Sequence, residues 1–216
     1  MNFLYSINYG LIFSCIICYL FGSIPNGYWL VKYYYRKDIR NEGSGNVGTM
    51  NAFTVSQSKK MGIAVLILDF LKGLIPVLMM LYLFNFGYYF ILISSIFIVV
   101  GHNYPVWLGF KGGRGLAAAA GIFIVLNFGF LVTWCLVWGL FFKFKKDILV
   151  SNVVATLSLP LFVVLIKNFY LALLNHNIHH EYYNLFILFT GIISVLIIVK
   201  HKVVLSRFIP FTAKNL

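Results

Sequence analysis

Residues 116–142 read LAAAAGIFIVLNFGFLVTWCLVWGLFF, a run of 27 residues without a charge. As one helix at 1.5 Å per residue it would reach about 40 Å, longer than a hydrocarbon core of about 30 Å. Its only interruption is Asn127-Phe128-Gly129, and the choice between one tilted helix and two shorter ones decides on which side of a membrane every later connection lies. Split at Asn127, the chain carries seven apolar stretches, at about 3–31, 62–84, 86–101, 115–127, 129–142, 148–174 and 184–199. Seven crossings gather 15 of the 17 Lys and Arg residues on one face, all but Lys72 and Lys167. Unsplit, the seven from Lys143 onward would change sides. Cytoplasmic loops collect Lys and Arg, so the split reading is preferred and predicts the N-terminus outside.

Composition points the same way. Of 216 residues, 61% are hydrophobic and 10% charged, and mean hydropathy is +0.91. Soluble domains average roughly 45–50% apolar and about 25% charged residues, so a soluble globule, a nucleic-acid-binding domain and a disordered chain are excluded. The expected fold class is an all-α polytopic membrane protein, one integral-membrane domain over 1–216 with about seven transmembrane helices. Much of the net charge of +12 is then a matter of topology. The N-terminal run has no basic n-region and no small-residue cleavage site, so it reads as a retained first span. Cys15, Cys18 and Cys135 lie in apolar runs and read as small hydrophobes.

Two glycine-rich connections fall on the predicted cytoplasmic face. The first reads Gly43-Ser44-Gly45-Asn46-Val47-Gly48-Thr49-Met50-Asn51. Glycines at this density allow positive φ and let successive N–H groups converge on an anion, with Ser44, Asn46 and Asn51 as neutral donors. It is neither a Walker-type loop nor a dinucleotide turn. The second runs from Gly101-His102 to Lys111-Gly112-Gly113-Arg114-Gly115 and opens on Leu116 and four alanines. Two cations among glycines before a helix start suit an anion that also meets the positive helix end, whereas a topological anchor alone would need the cations but not Gly112, Gly113 and Gly115.

Asp69 and Lys72, three apart, share one face of the second apolar stretch and read either as a structural pair or as a substrate-facing one. His176, His179, His180 and Glu181 have metal-like spacing but map to the opposite face, where an exposed polar turn is the better reading; no metal or cofactor is expected. Lys200-His201-Lys202 through Arg207 ends the last stretch on the glycine-loop side. There is no G-x-S-x-G elbow and no carboxylate pair for acid–base work, so chemistry here calls for a substrate that is already activated.

The chain resembles the bacterial membrane glycerol-3-phosphate acyltransferases that use acyl phosphate as donor. The resemblance rests on Gly22-Ser23-Ile24-Pro25 with Asp38-Ile39-Arg40, the first glycine loop, Asp69-Phe70-Leu71-Lys72-Gly73 with Pro76, and Gly101-His102 through Gly115. It implies a seven-helix bundle in the bacterial cell membrane with its site on the cytoplasmic side. It also implies transfer of a fatty acyl chain to the first-carbon hydroxyl of glycerol 3-phosphate, giving lysophosphatidic acid, the first step of phospholipid synthesis. The partners so implied are acyl phosphate, glycerol 3-phosphate and membrane lipid, with a functional link to an enzyme that forms acyl phosphate and none to nucleic acid. Carried over residue by residue, Ser44, Lys111 and His201 are the candidate catalytic residues. Gly43, Gly45, Asn46, Gly48, Asn51, His102, Gly112, Gly113, Arg114, Gly115 and Arg207 are the candidate phosphate-binding residues, and Asp69 and Lys72 form the polar interior.

The chain departs from that pattern at four places. Arg114 stands where the family usually has Lys, Thr54 where it has a phosphate-binding Arg, Val204 where it has Asn and Ala213 where it has Glu. Two other readings stay open at this point: a non-catalytic relative that binds lipid phosphate, and an organic-phosphate transporter, which would be expected to show internal repeats that the halves of this chain lack.

Overall fold

The computed structural model describes residues 2–172 and 182–201, with side chains over 9–169 and 182–201. The His176–Glu181 turn, Lys202, Val204, Arg207 and Ala213 lie outside the described residues. Every regular element described is helical: α1 Asn2–Ser23, α2 Asn26–Tyr35, α3 Thr49–Ser56, α4 Lys59–Leu78, α5 Tyr88–Asn103, α6 Leu116–Leu126, α7 Phe128–Lys145, α8 Ile148–Leu165, α9 Lys167–Ala172 and α10 Tyr183–Val199. A π-helical turn, Met79–Leu83, extends α4 beyond Pro76. Five segments among the described residues are long and apolar enough to cross a membrane: Tyr9–Tyr35, Lys59–Leu83, Tyr88–Leu108, Phe128–Lys145 and Ile148–Leu165. Two apolar helices, α6 and α10, are shorter.

The long run does break at Asn127. Its backbone is extended (φ −162°, ψ 101°), which ends α6, and its side chain accepts from the Gly129 N–H at 3.0 Å, which starts α7. An Asn at an N-cap satisfies one of the orphan donors that a helix start leaves in an apolar setting. Phe123 and Phe130 stack across the break at 4.5 Å with Phe186 edge-on to Phe130 at 5.0 Å, so the discontinuity is packed inside the bundle. Two other boundaries differ from expectation. The first stretch breaks at Ile24-Pro25, because proline supplies no N–H and disfavours helix in the residue before it. The eighth helix ends at Leu165, and a short α9 follows.

The helices are held together by close backbone approach. α1 and α5 run parallel: Ser14 Oγ meets Ser94 Oγ at 2.7 Å, and the Tyr19 hydroxyl donates to the Tyr104 carbonyl at 2.9 Å. A Cβ on Gly22 would overlap the Ile98 carbonyl, and one on Gly101 the Tyr19 carbonyl. α4 and α6 meet in the same way, Gly73 against the Ala118 carbonyl and Gly121 against that of Phe70. In lipid, where apolar burial between helices is not a driving force, contact of this kind supplies the association energy. Because α5 ends at the second glycine loop, its parallel partner α1 starts at the opposite end of the bundle.

Gly73→Val should remove most folded protein, since its side chain would displace backbone in a packed helix pair. Gly139→Ala, at a position with open space around it, should leave the thermal unfolding midpoint unchanged; size-exclusion yield and a melting curve in detergent read both.

Candidate active site

The first glycine loop is folded around one side chain. Asn51, at the start of α3 and buried, donates from Nδ2 to the carbonyls of Ile39 and Glu42, both at 3.0 Å, and accepts at Oδ1 from the Ser44 N–H at 2.9 Å. Gly43 takes φ +57° directly against that amide, where a Cβ would overlap Oδ1. Asn46 accepts from the Gly48 N–H at 2.8 Å, a local turn that feeds the chain into α3. At the loop entrance Arg40 holds Asp38 in a bidentate pair at 3.0 and 2.7 Å, and this contact lowers the Asp38 pKa to about 2. The same guanidinium lies over the Tyr28 ring at 4.8 Å. Ser44 remains exposed at the loop crest.

The second loop packs back on the end of α5. The Gly112 N–H donates to the Asn103 carbonyl at 3.2 Å and the Gly113 N–H to the His102 carbonyl at 3.0 Å. A side chain on Gly112 would overlap the His102 carbonyl, and one on Gly113 the His102 ring. Gly115 takes φ +87° as the N-cap of α6. This folding turns Arg114 inward, half-buried, with Nε shielded from solvent and without a partner among the described residues. Burial pushes its pKa down, but a guanidinium remains a cation at neutral pH.

Deeper, Asp69 Oδ1 accepts from Lys72 Nζ at 2.9 Å and from Asn26 Nδ2 at 3.1 Å, and Lys72 also donates to the Ile24 carbonyl at 2.9 Å. His102 Nδ1 lies 3.9 Å from the same carboxylate oxygen. Just beyond α10, His201 is buried, its Nδ1 paired with the Ile197 carbonyl at 2.8 Å and its Nε2 without a partner among the described residues. Burial first, and then the nearby Arg114 charge, hold its pKa below the ordinary histidine value, so the imidazole is neutral at pH 7.

These groups enclose a cavity of about 430 Å³ lined by Ser44, Asn46, Gly48, Asn51, Asp69, His102, Arg114 and Gly115. On one side it shares Leu66, Leu116, Ala117, Trp134 and Cys135 with an apolar cavity of about 200 Å³ that continues past Ala120, Phe123 and Phe130 between the helices. On the other it shares Ser44, Met50, Asn51 and Arg114 with an open mouth of about 390 Å³. The result is one passage from the helix interior to the loop surface, apolar at one end and cationic at the other.

A family model described as glycerol-3-phosphate acyltransferase matches residues 12–210. The glycerol-3-phosphate acyltransferase of Pelagibacter ubique is 38% identical over 151 residues, 70% of this chain and 77% of that protein. That of Streptococcus pneumoniae is 34% identical over 196 residues, 89% of this chain and 86% of that protein. The crystal structure of PlsY, an integral membrane glycerol 3-phosphate acyltransferase, in its glycerol 3-phosphate form matches with TM-score 0.75 and 33% identity over 92% of both chains. Its lysophosphatidic acid form matches with TM-score 0.73 and 31% identity over 92% of this chain and 91% of that one. The chain belongs to the glycerol-3-phosphate acyltransferase family.

In this acyltransferase, Ser44, Asn46, Gly48, Asn51, His102, Arg114 and Gly115 share the cavity, and Asp69 reaches it from α4. Lys111 does not: it is exposed and absent from the lining, so among the described residues Arg114 is the cation that faces the interior. Gly112 and Gly113 serve backbone packing against His102, and their N–H groups are spent on carbonyls rather than turned toward an anion. Asn51 likewise spends its amide on the loop. Gly43 and Gly45 shape the turn from outside the cavity. His201 is buried near Arg114 and is not in the lining. The wall from α7 and α8, namely Trp134, Cys135, Trp138, Ile148 and Asn152, was not anticipated, since an apolar stretch does not reveal which of its faces meets a loop distant in sequence. Trp138 donates to Asn152 at 2.8 Å there and Trp134 to Thr156 at 3.2 Å, polar pairs that mark the inward face of both helices.

Asn51→Ala should unfold the first loop: three hydrogen bonds at about 1 kcal/mol each vanish and two carbonyls lose their donor. Limited proteolysis near Gly43 should accelerate at least tenfold in this variant and stay unchanged in Ser44→Ala.

Proposed function

We propose that this acyltransferase moves a fatty acyl chain from acyl phosphate to the first-carbon hydroxyl of glycerol 3-phosphate within the passage described above. The observation that carries this reading is the polarity gradient along that passage. An acyl phosphate has an apolar tail and an anionic head, and the passage offers an apolar branch lined by Ala117, Ala120, Phe123 and Phe130 followed by a cationic chamber at Arg114. Glycerol 3-phosphate is small and water-soluble, and the open mouth at Ser44 and Arg114 is its natural entrance.

The chemistry needs little from the protein beyond placement and charge. The hydroxyl oxygen attacks the acyl carbonyl carbon, the bond from that carbon to the phosphate oxygen breaks, and the leaving phosphate takes the hydroxyl proton to depart as hydrogen phosphate. A mixed anhydride has a good leaving group, so orienting two anionic partners and stabilising the developing charge accounts for the rate. Arg114 offers a planar donor fork to a phosphate, the loop-crest hydroxyl of Ser44 offers a neutral donor, and neutral His201 behind the guanidinium adds no competing positive charge. The exposed Lys111 adds to the field that draws anions in. We assign the glycine-loop end to the cytoplasm of a bacterial cell membrane, with the N-terminus outside and α6 and α10 as crossings alongside the five longer segments. The sequence's basic residues support that orientation.

Purified protein given palmitoyl phosphate and glycerol 3-phosphate should release phosphate and form lysophosphatidic acid in equal amounts, and palmitoyl-coenzyme A should not replace the donor. Arg114→Ala should reduce turnover by about two to four orders of magnitude, the range for a lost transition-state charge contact. Ser44→Ala should cost about tenfold to a thousandfold, Arg114→Lys less than Arg114→Ala, and Lys111→Ala less still. Full activity of Arg114→Ala would mean that the cationic chamber has been misassigned.

A further inference from the structure

The open mouth of the passage has a second cation. Besides Ser44, Thr54 and Arg114 it is lined by Lys146 and Asp147, from the turn between α7 and α8. That turn is more than thirty positions from Arg114 in sequence, yet the fold brings it to the first glycine loop across a mouth of about 390 Å³. Lys146 sits in the left-handed region (φ +54°) as the C-cap of α7, and its backbone N–H donates to the Phe142 carbonyl at 2.9 Å. The residue is exposed, and its ammonium has no partner among the described residues. Asp147 beside it lines the same mouth and keeps its negative charge, while its carboxylate accepts from the Leu149 and Val150 N–H groups at 2.8 and 3.1 Å and caps α8. In the same lining the Thr54 hydroxyl is spent on the Met50 carbonyl at 2.9 Å. Among the described residues, an anion entering here therefore meets two cations, Arg114 and Lys146, which line the same mouth as the Asp147 carboxylate.

We propose that Lys146 is a substrate-binding residue that holds the phosphate of the water-soluble acceptor, closing with Arg114 a two-cation clamp across the mouth; this rests on the acceptor assignment made above. An ammonium on a flexible stem suits capture of a mobile phosphate as a point charge, while the fixed Arg114 fork orients what has been captured. An exposed cation of this kind acts mainly on ground-state binding and is screened by salt. Loss of Lys146 should therefore appear in the KM for the acceptor and not in turnover.

The test is steady-state kinetics on the purified full-length protein. Lys146→Gln removes the charge, keeps a flexible polar side chain one atom shorter, and leaves a non-glycine residue at the left-handed position. It should raise the KM for glycerol 3-phosphate about tenfold, with kcat and the KM for palmitoyl phosphate within twofold, and should flatten the rise of that KM with ionic strength. Lys145→Gln removes the same charge from an exposed neighbour outside the lining and should change neither. Thr54→Arg placed in the Lys146→Gln protein supplies a cation from the same lining and should return the KM to within threefold of wild type. An unchanged KM in Lys146→Gln, or an equal rise in Lys145→Gln, overturns the proposal. If wild type transfers no acyl chain to glycerol 3-phosphate, the functional reading above fails by itself, and Lys146 is then judged by thermal shift with inorganic phosphate. A shift present in wild type and lost in Lys146→Gln supports the clamp, and equal shifts, or none in either protein, overturn it.

Discussion

The carboxylate of Asp69 and the ammonium of Lys72, one turn apart on α4 and both buried, set the geometry on which the site depends. Charges inside an apolar bundle persist only when each is paired and its remaining bonds are filled. Here the filling groups are the Asn26 amide and the Ile24 carbonyl, which belong to the break between α1 and α2. The break frees that carbonyl, proline ensures the break, and the pair pins it against α4. The same carboxylate lies beside His102 at the end of α5, whose backbone carbonyl anchors the second glycine loop at Gly113. One ion pair thus links the first apolar segment, the second and the loop that turns Arg114 inward. Removing either partner leaves an unmatched charge, a loss of about 3–5 kcal/mol, so the pair belongs to the scaffold even though Asp69 also touches the cavity.

Much of this was readable in the sequence, and the parts that were not share a cause. Apolar runs, the Asn127 break and the two glycine loops depend on local chemistry and on a period that a string of letters preserves. Which side chain of a loop faces inward depends on what the loop packs against. Lys111 and Arg114 are equivalent as letters, three positions apart; packing of Gly112 and Gly113 on His102 sends one outward and the other in. Asn51, expected to touch phosphate, lines the cavity and also organises the loop, because a buried amide adjoining two carbonyls satisfies them. The short α3 was not anticipated, since eight residues without a capping side chain carry little signal. The α7–α8 wall and Lys146 were unreadable as site residues, for their nearness to Ser44 is entirely tertiary.

The site also explains how an acyltransferase can do without a nucleophile of its own. Among the described residues no base hydrogen-bonds the Ser44 hydroxyl, and the neutral imidazole of His201 is turned to the Ile197 carbonyl and buried near Arg114. On the proposed reading, the driving force resides in the donor's mixed anhydride, and the protein contributes a shaped passage whose apolar branch takes the tail while cations and hydroxyls hold the two phosphates. On that reading the apolar branch serves the acyl chain and the mouth the acceptor, while Arg114, which lines both the chamber and the mouth, joins the two.

The central claim, that the acyl group passes directly from donor to acceptor with no acyl-enzyme, is tested most directly by initial velocities with both substrates varied, combined with intact mass measurement after exposure to palmitoyl phosphate alone. Direct transfer predicts intersecting reciprocal plots and no mass increase. Parallel plots together with a palmitoyl adduct on Ser44, discharged when glycerol 3-phosphate is added, would contradict it.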